Sequence, residues 1–404
     1  MKTLSFGLEK ALSVTLENIK PLPAETVELT AGVDRVAASD LYALVDSPSI
    51  DASLKDGYAV LSREVEGATA EKPVRLRING YIAAGGERDI ELKLGTTVRV
   101  FTGARIPAGA DAVVSEEFVR PEDNDALIEN FAEPGRNILS RGSDIESGRL
   151  IIRAGAKISP GMVGMLAAAG HSTIPVFENP VVGIIGTGDE IVAPGKPLPE
   201  GGLYASNIMT LGAWCNRYGM KTLTTVVKDD FDTISSALKA MAAGADAIVT
   251  SGGAWTSDRD MVAHALEGLG WNEYFHRIRI GPGKAVGFGI LDNKPVFILP
   301  GGPSSNLMGF LQIALPGLLA LAGHRDPGLR RINARLGADL EKWQPDWTHF
   351  FFGALEQTEG LPVFHQMKGV SRLQAMAEAD AIACLPEGKE HIAKGSAISV
   401  QLMK

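Results

Sequence analysis

Val181-Val182-Gly183-Ile184-Ile185-Gly186-Thr187-Gly188-Asp189-Glu190 is an apolar run that stops abruptly in glycine, threonine and two carboxylates. A strand with no polar alternation suits a sheet covered on both faces, as parallel sheets are. The pattern recurs. A helix is expected over residues 207–218, a strand over 221–227 and a helix over 231–243. A strand over 247–250 then ends in Ser251-Gly252-Gly253, and one over 296–299 ends in Pro300-Gly301-Gly302-Pro303 before another helix. Buried strands alternating with helices predict an α/β unit with a mainly parallel sheet over residues 179–327.

The flanks differ in character. Residues 48–145 hold short β-like runs (74–78, 97–101, 112–114) between glycine, proline and aspartate turns, which suggests a mostly β insertion. It interrupts an elongated helical domain made of residues 1–47 and 146–178, with helices expected over 8–19, 32–41 and 162–169. Ser159-Pro160 reads as a cap with proline in the first turn. Residues 328–404 read as a small C-terminal β-barrel.

Composition narrows the function. With 45% hydrophobic and 22% charged residues the 404-residue chain is ordinarily globular, and two to four domains of about 100–150 residues are expected. The net charge of −9 offers no general field for nucleic acid or anionic lipid, so neither is an expected partner. Cys215 and Cys384 stand far apart and form no disulfide framework, which fits a cytoplasmic protein. No signal peptide is read in residues 1–10. The apolar stretch 307–323 contains Gln312 and Pro316 and is read as a buried helix, not a membrane span.

Ligands of open α/β sheets bind beyond the carboxyl ends of the strands. Three loops there are candidates: Gly186-Thr187-Gly188-Asp189-Glu190, Ser251-Gly252-Gly253 leading toward Asp258 and Asp260, and Pro300-Gly301-Gly302-Pro303-Ser304 before a helix. Each alone reads more readily as a plain turn; three in one unit favour a phosphate-bearing ligand. The carboxylates Asp189, Glu190 and Asp260 suit oxygen coordination of Mg²⁺ bridging to phosphate. Arg277, Arg279 and Lys284 flank Gly281-Pro282-Gly283, a cationic turn able to bind phosphate or molybdate, or equally a solvated hairpin. The seven histidines show no metal-ligand spacing, and neither a P-loop nor a nucleophile elbow is present.

Longer motifs then align. Asp56-Gly57-Tyr58-Ala59-Val60 after Ser53, Thr102-Gly103-Ala104 through Gly109-Ala110-Asp111, Asn137-Ile138 through Asp144-Ile145, Gly186 to Glu190 and Ser251-Gly252-Gly253 stand in order. Asp260, Pro282-Gly283-Lys284, Leu299-Pro300-Gly301 and Leu385-Pro386-Glu387-Gly388 continue the series. Over nearly its whole length the chain resembles the molybdopterin molybdenumtransferases, whose fold also forms the C-terminal part of gephyrin. The resemblance implies a four-domain subunit in a head-to-tail homodimer with a shared active site. It implies adenylylated molybdopterin and molybdate as substrates, Mg²⁺ as cofactor, molybdenum cofactor and AMP as products, and a pterin-adenylylating enzyme as partner. Asp56 and Asp144 would come from the insertion of one subunit, and Glu190, Asp246, Asp260 and Lys284 from the α/β unit of the other.

The chain also departs from the family pattern. Lys55 replaces methionine, Ala254-Trp255-Thr256-Ser257 replaces a Val-Ser-Val-Gly loop, and Gly281 and Phe352 stand where cations are usual. Gly302 replaces asparagine, and Lys368-Gly369-Val370-Ser371 replaces a Gly-Ser-Gly stretch. Two alternatives stay open on these residues: a non-catalytic paralogue that binds pterin or nucleotide, and an enzyme acting with another oxyanion such as tungstate.

Overall fold

The computed structural model describes residues 5–86, 90–253, 261–342 and 344–404. Its centre is a six-stranded sheet in the order Lys221–Val227, Val181–Thr187, Ala247–Ser251, Lys294–Leu299, Gly287–Leu291 and Asn272–His276. The first four strands run parallel; the last two are antiparallel additions.

Side-chain alternation explains why both faces are covered. Ile184, Val249, Phe297 and Leu299 pack with Ile208, Leu211 and Leu307 on one side. Ile185, Ile248, Val296 and Ile298 pack with Ile234, Leu238 and Leu266 on the other. Each such side chain, fully buried, contributes about 1.5–3 kcal/mol, so two apolar faces per strand hold the sheet between helix layers. The helices are Ser206–Arg217 and Pro303–Leu321 on the first face, Phe231–Gly244 and Met261–Gly268 on the second. The run Pro303–Leu321 is long and apolar enough to cross a membrane, but 83% of its apolar window is buried within the protein. Its apolarity serves the core.

A second six-stranded sheet, largely antiparallel, uses Gly57–Val60, Val74–Ile82, Thr96–Val100, Ala112–Ser115, Val119–Glu122 and Asp125–Ile128. Its two faces bury separate clusters around Val60 and Val114, and around Ala59 and Val98. In the C-terminal region Thr348–Glu356, Val363–Gln366, Arg331–Leu336, Ala397–Leu402 and Ala381–Leu385 pair in a ring, closing the expected barrel. The helix Arg372–Glu378 is an addition that the β reading of this region omits.

The N-terminal part contains less helix than its sequence suggests. Helices form at Leu8–Glu17 and Pro160–Ala168, the latter capped by Ser159 as expected. Residues 32–41 are not a helix. Gly32 closes a short 3-10 turn, Asp34 takes a φ of 65°, and Val36 and Ala37 bridge to Lys157 and Val176. Left-handed backbone at Asp34 breaks a helix within its first turn. The strand Ala24–Glu28 pairs with Thr173–Phe177, tying the two ends of this region together around the insertion. Ala11 and Ile19, by contrast, belong to the core of the central unit.

Candidate functional site

At the carboxyl ends of the parallel strands lies a cleft of ≈ 960 Å³. Its floor is formed by Thr187-Gly188, Ser251-Gly252-Gly253 and Pro300-Gly301-Gly302, the three loops singled out by their composition. Two of the glycines are required by geometry. Gly252 has a φ of 106°, and a Cβ there would stand 2.3 Å from Thr187 O. Gly188 has a φ of 153°, and a Cβ there would meet Ile191 Cγ1 at 2.7 Å. Adjacent strands thus end in bare backbone, which lets a ligand come close to the main chain; the Gly188 and Gly252 N–H groups themselves donate to Val227 O at 3.2 Å and Leu299 O at 3.1 Å.

The cleft has an acidic end. Glu190 and Asp229 both line it, and Asp189 acts on Asp229 from nearby. Desolvation and the Asp189 charge push the Asp229 carboxyl above its ordinary range; the Thr187 hydroxyl opposes this and Glu190 adds to it. Although Asp229 keeps solvent contact, its neighbours make it an unfavourable place for one more negative charge. Thr187 is 4% exposed, and its Oγ1 is buried with no hydrogen bond of normal geometry. Glu190 and Asp229, with Asp189 close by, supply oxygen donors of the kind a hard cation such as Mg²⁺ takes, but among the described residues their oxygens do not converge within 4.8 Å of one another.

Beside the acidic end the cleft holds a polarised hydroxyl. Ser251, 6% exposed, accepts from Asn207 Nδ2 at 3.2 Å and from Asn306 Nδ2 at 2.9 Å. Each amide also donates to a loop carbonyl, Asn207 to Gly301 O at 2.8 Å and Asn306 to Pro300 O at 2.9 Å. With two donors on its oxygen, the Ser251 hydroxyl is left to act as a donor itself. An anion in the cleft is the acceptor it suits.

The remaining residues singled out by sequence are dispersed. Asp246 stands apart from the cleft: it sits at the amino end of its strand, where its Oδ2 accepts from Val181 N–H at 2.8 Å. Its own N–H donates to Val181 O at 2.7 Å. It pins two strand starts together, a strand's length from the cleft. Arg279 pairs with Glu387 at 3.1 Å and donates from Nε to Asp346 O at 3.0 Å, which stitches the central unit to the barrel. Lys284 holds its Nζ 5.5 Å from the centre of the Trp347 ring. Neither cation lines the cleft, and Ser304 lies behind Pro303, which does. Asp260, Asp258 and the loop Ala254 to Ser257 lie outside the described residues.

Asp56 and Asp144 belong to the insertion. Asp56 Oδ1 accepts both the Thr102 backbone N–H, at 2.7 Å, and the Thr102 hydroxyl, at 2.8 Å. These two bonds hold the Asp56 carboxyl below its ordinary range, with a smaller contribution from the Arg99 charge. Asp144 is exposed, and its N–H donates to Ser47 O at 3.0 Å. The segments carrying the two are laid against each other, Ile138 pairing with Ser53 and Ile145 with Ser47. Neither aspartate lines the cleft within one chain.

Among the lining or supporting residues that escaped the sequence reading are Asn207, Asp229, Asn306 and Arg372. Asp229 precedes Asp230, whose carboxylate caps the helix Phe231–Gly244 by accepting from Thr233 N at 2.9 Å. An Asp-Asp pair before a helix reads as capping, which hides the second role.

Comparison with known proteins gives a consistent picture. Residues 6–170 match the family described as the MoeA N-terminal region (domain I and II). Residues 183–320 match a probable molybdopterin binding domain, and 333–403 the MoeA C-terminal region (domain IV). A molybdopterin molybdenumtransferase of Nostoc sp. (strain PCC 7120 / SAG 25.82 / UTEX 2576) is 30% identical over 388 residues, spanning 93% of this chain and 88% of that protein. Molybdopterin molybdenumtransferase 2 of Mycobacterium tuberculosis (strain ATCC 25618 / H37Rv) is 30% identical over 393 residues, spanning 96% and 97%. A solved molybdopterin biosynthesis MoeA structure from Pyrococcus horikoshii superposes with a TM-score of 0.84 at 34% identity, covering 98% of this chain and 99% of that one. A second, at 27% identity, gives 0.83 with the same coverage.

Proposed function

Because the chain belongs to the molybdopterin molybdenumtransferase family, we propose that its central cleft binds adenylylated molybdopterin and there exchanges the adenylyl group for molybdenum, releasing AMP. The protein is a transferase of molybdenum cofactor biosynthesis with a MoeA-like, multidomain α/β fold. The observation that carries the finer reading is the composition of the cleft. Carboxylates at Glu190 and Asp229 share one space with bare glycine backbone and the Ser251 hydroxyl. A pyrophosphate needs these features together: a cation site, a hydrogen-bond donor and room for close approach.

Asp189, Glu190 and Asp229 would hold Mg²⁺, with Asp260 as a further candidate. The ion, when bound, supplies positive charge to a pyrophosphate. The chain's own residues then do the positioning. Gly188, Gly252, Gly253 and Gly301 admit the phosphates, Ser251 donates to one of their oxygens, and Asn207 and Asn306 fix the direction of that donation. Attack of a water oxygen on one phosphorus breaks its bond to the bridging oxygen, which leaves on the other phosphate; the water's oxygen and protons complete the two monoesters, AMP on one side and the pterin phosphate on the other. Thr187, Pro300 and Gly302 shape the same space, with Ser304 behind them, whereas Lys284 and Arg279 support it from the barrel junction.

Asp56 and Asp144 would enter from a second subunit. Taking the insertion as residues 48–145 and the α/β unit as 179–327, the two acidic sets stand on separate units of one chain. A head-to-tail homodimer would unite them. The polar, exposed Asp56 edge is suited to face such a cleft because its carboxylate is already oriented by Thr102. We place this chemistry in the cytoplasm, downstream of an enzyme that adenylylates the pterin.

The test is incubation of the pure protein with adenylylated molybdopterin, molybdate and Mg²⁺. AMP should appear in proportion to molybdenum inserted and should cease on chelation of the metal. Absence of AMP, while a family enzyme releases it under the same conditions, would remove the catalytic reading. Competition with tungstate in that assay distinguishes the oxyanion.

A further inference from the structure

Arg372 lines the cleft beside the loop that follows the strand Lys294–Leu299, two strands along the sheet from Val181–Thr187. It is the first residue of the helix Arg372–Glu378, which packs against the helix Pro303–Gly309. Ser371, Arg372 and Leu373 form the contribution of the C-terminal region to the lining. The guanidinium reaches the glycine loop: a Cβ built on Gly302 would come 4.0 Å from Arg372 Nη1. Among the described residues lining the cleft it is the one cation, set against Glu190 and Asp229.

We infer that Arg372 is an anion-recognition residue of this site, binding a tetrahedral oxyanion group beside the Pro300-Gly301-Gly302 loop. The inference rests on the cleft being the substrate site proposed above, and it deepens that reading by giving the cleft a charge opposite in sign to that of its carboxylates.

Two observations point this way. First, the cations expected by position are engaged elsewhere, Arg279 with Glu387 and Lys284 over Trp347. Second, a protein of net charge −9 attracts no anion by its overall field, so a local fixed charge has to select one. Arg372 makes no ion pair with any described residue, leaving its donors available. A guanidinium presents two parallel N–H groups, which match a phosphoryl or molybdate edge better than an ammonium does.

The oxyanion has two possible sources, a phosphoryl group of the nucleotide-linked substrate and free molybdate, and the experiment separates them. Binding of AMP and, separately, of orthomolybdate is measured by calorimetry on the full-length protein with Mg²⁺, for wild type, Arg372→Ala and Arg372→Lys. Wild type should bind at least one probe, Arg372→Ala should weaken that probe by about tenfold or more, and Arg372→Lys should recover only part of it. The affected probe identifies the source. Equal affinities in wild type and Arg372→Ala, or no binding of either probe by wild type, would overturn the inference. AMP release measured on the same preparations separates the two claims. Arg372-dependent binding without turnover sustains the anion site while refuting the transferase chemistry; turnover with unchanged KM in Arg372→Ala does the reverse.

Discussion

Asn306 and Ser251 meet at 2.9 Å beneath the cleft, an amide N–H from the helix Pro303–Gly309 against the hydroxyl that ends the strand Ala247–Ser251. The same amide donates to Pro300 O, so one side chain ties two adjacent loops. Asn306 is 1% exposed, and its removal leaves Pro300 O and Ser251 Oγ each one donor short in a dry environment. Asn306→Ala should therefore lower stability by about 1–3 kcal/mol. Asn207→Ala, at a half-exposed position, should cost less. Urea transitions followed by tryptophan fluorescence check this; equal midpoints for wild type and Asn306→Ala would show that the bond carries no strength.

Two glycines of the floor should answer differently to the same added methyl group. At Gly252 the φ is 106° and the new Cβ would overlap Thr187 O at 2.3 Å, so the strand ends must separate. Gly252→Ala should lose roughly 1–3 kcal/mol from backbone strain alone, with ligand binding lost as well. At Gly301 the nearest atom to a new Cβ is Gly252 Cα at 3.7 Å, an ordinary contact. Gly301→Ala should keep the melting temperature and reduce affinity for AMP, because the methyl group occupies the approach to the backbone. A melting temperature that falls as far in Gly301→Ala as in Gly252→Ala would contradict this account.

The contrast also bears on which features are legible in the sequence. Apolar strands ending in Thr187-Gly188, Ser251-Gly252-Gly253 and Pro300-Gly301-Gly302 mark themselves, because strand burial and glycine each leave a local trace in sequence. The sheet and the floor of the cleft follow from those traces. Asp229 left none of its own, since Asp230 beside it explains an acidic pair before a helix. Asp246 shows the opposite case. Family order suggests a site role, while the contact it makes within the chain is a strand-to-strand bond with Val181 at the other end of the sheet. Arg372 was hidden for a third reason. Its place depends on how the barrel region folds back over the central unit, a relation between segments that no local pattern records.

The hold of Thr102 on Asp56 has a pH signature. Both Thr102 donors favour the ionised carboxylate, so the folded pKa lies below the ordinary 3.8. A depressed carboxyl stabilises the folded state fully at pH above that ordinary value, and the contribution disappears as pH falls through the folded pKa. Thr102→Val deletes the hydroxyl and keeps the N–H. It should move the Asp56 carboxyl upward, toward its ordinary value, and make acid unfolding begin at higher pH. Carbon-detected NMR titration of Asp56 measures the shift directly; an unchanged titration would show that the hydroxyl bond is not formed in solution.

The proposed union of Asp56 and Glu190 across two subunits leads to a test that uses inactive proteins. If both residues serve one active site but come from different chains, Asp56→Asn and Glu190→Gln should each be inactive in AMP release. Mixed and allowed to exchange subunits, half of the dimers become hybrids, and each hybrid contains one site with both residues intact. Activity should then return to about one quarter of wild type, as expected for statistical exchange in a twofold dimer. If both residues instead served a site within one chain, each hybrid would carry one defect in every site and mixing would restore nothing. A monomer mass in light scattering at micromolar concentration would likewise exclude the shared site, because a single chain leaves Asp56 outside the cleft that Glu190 lines.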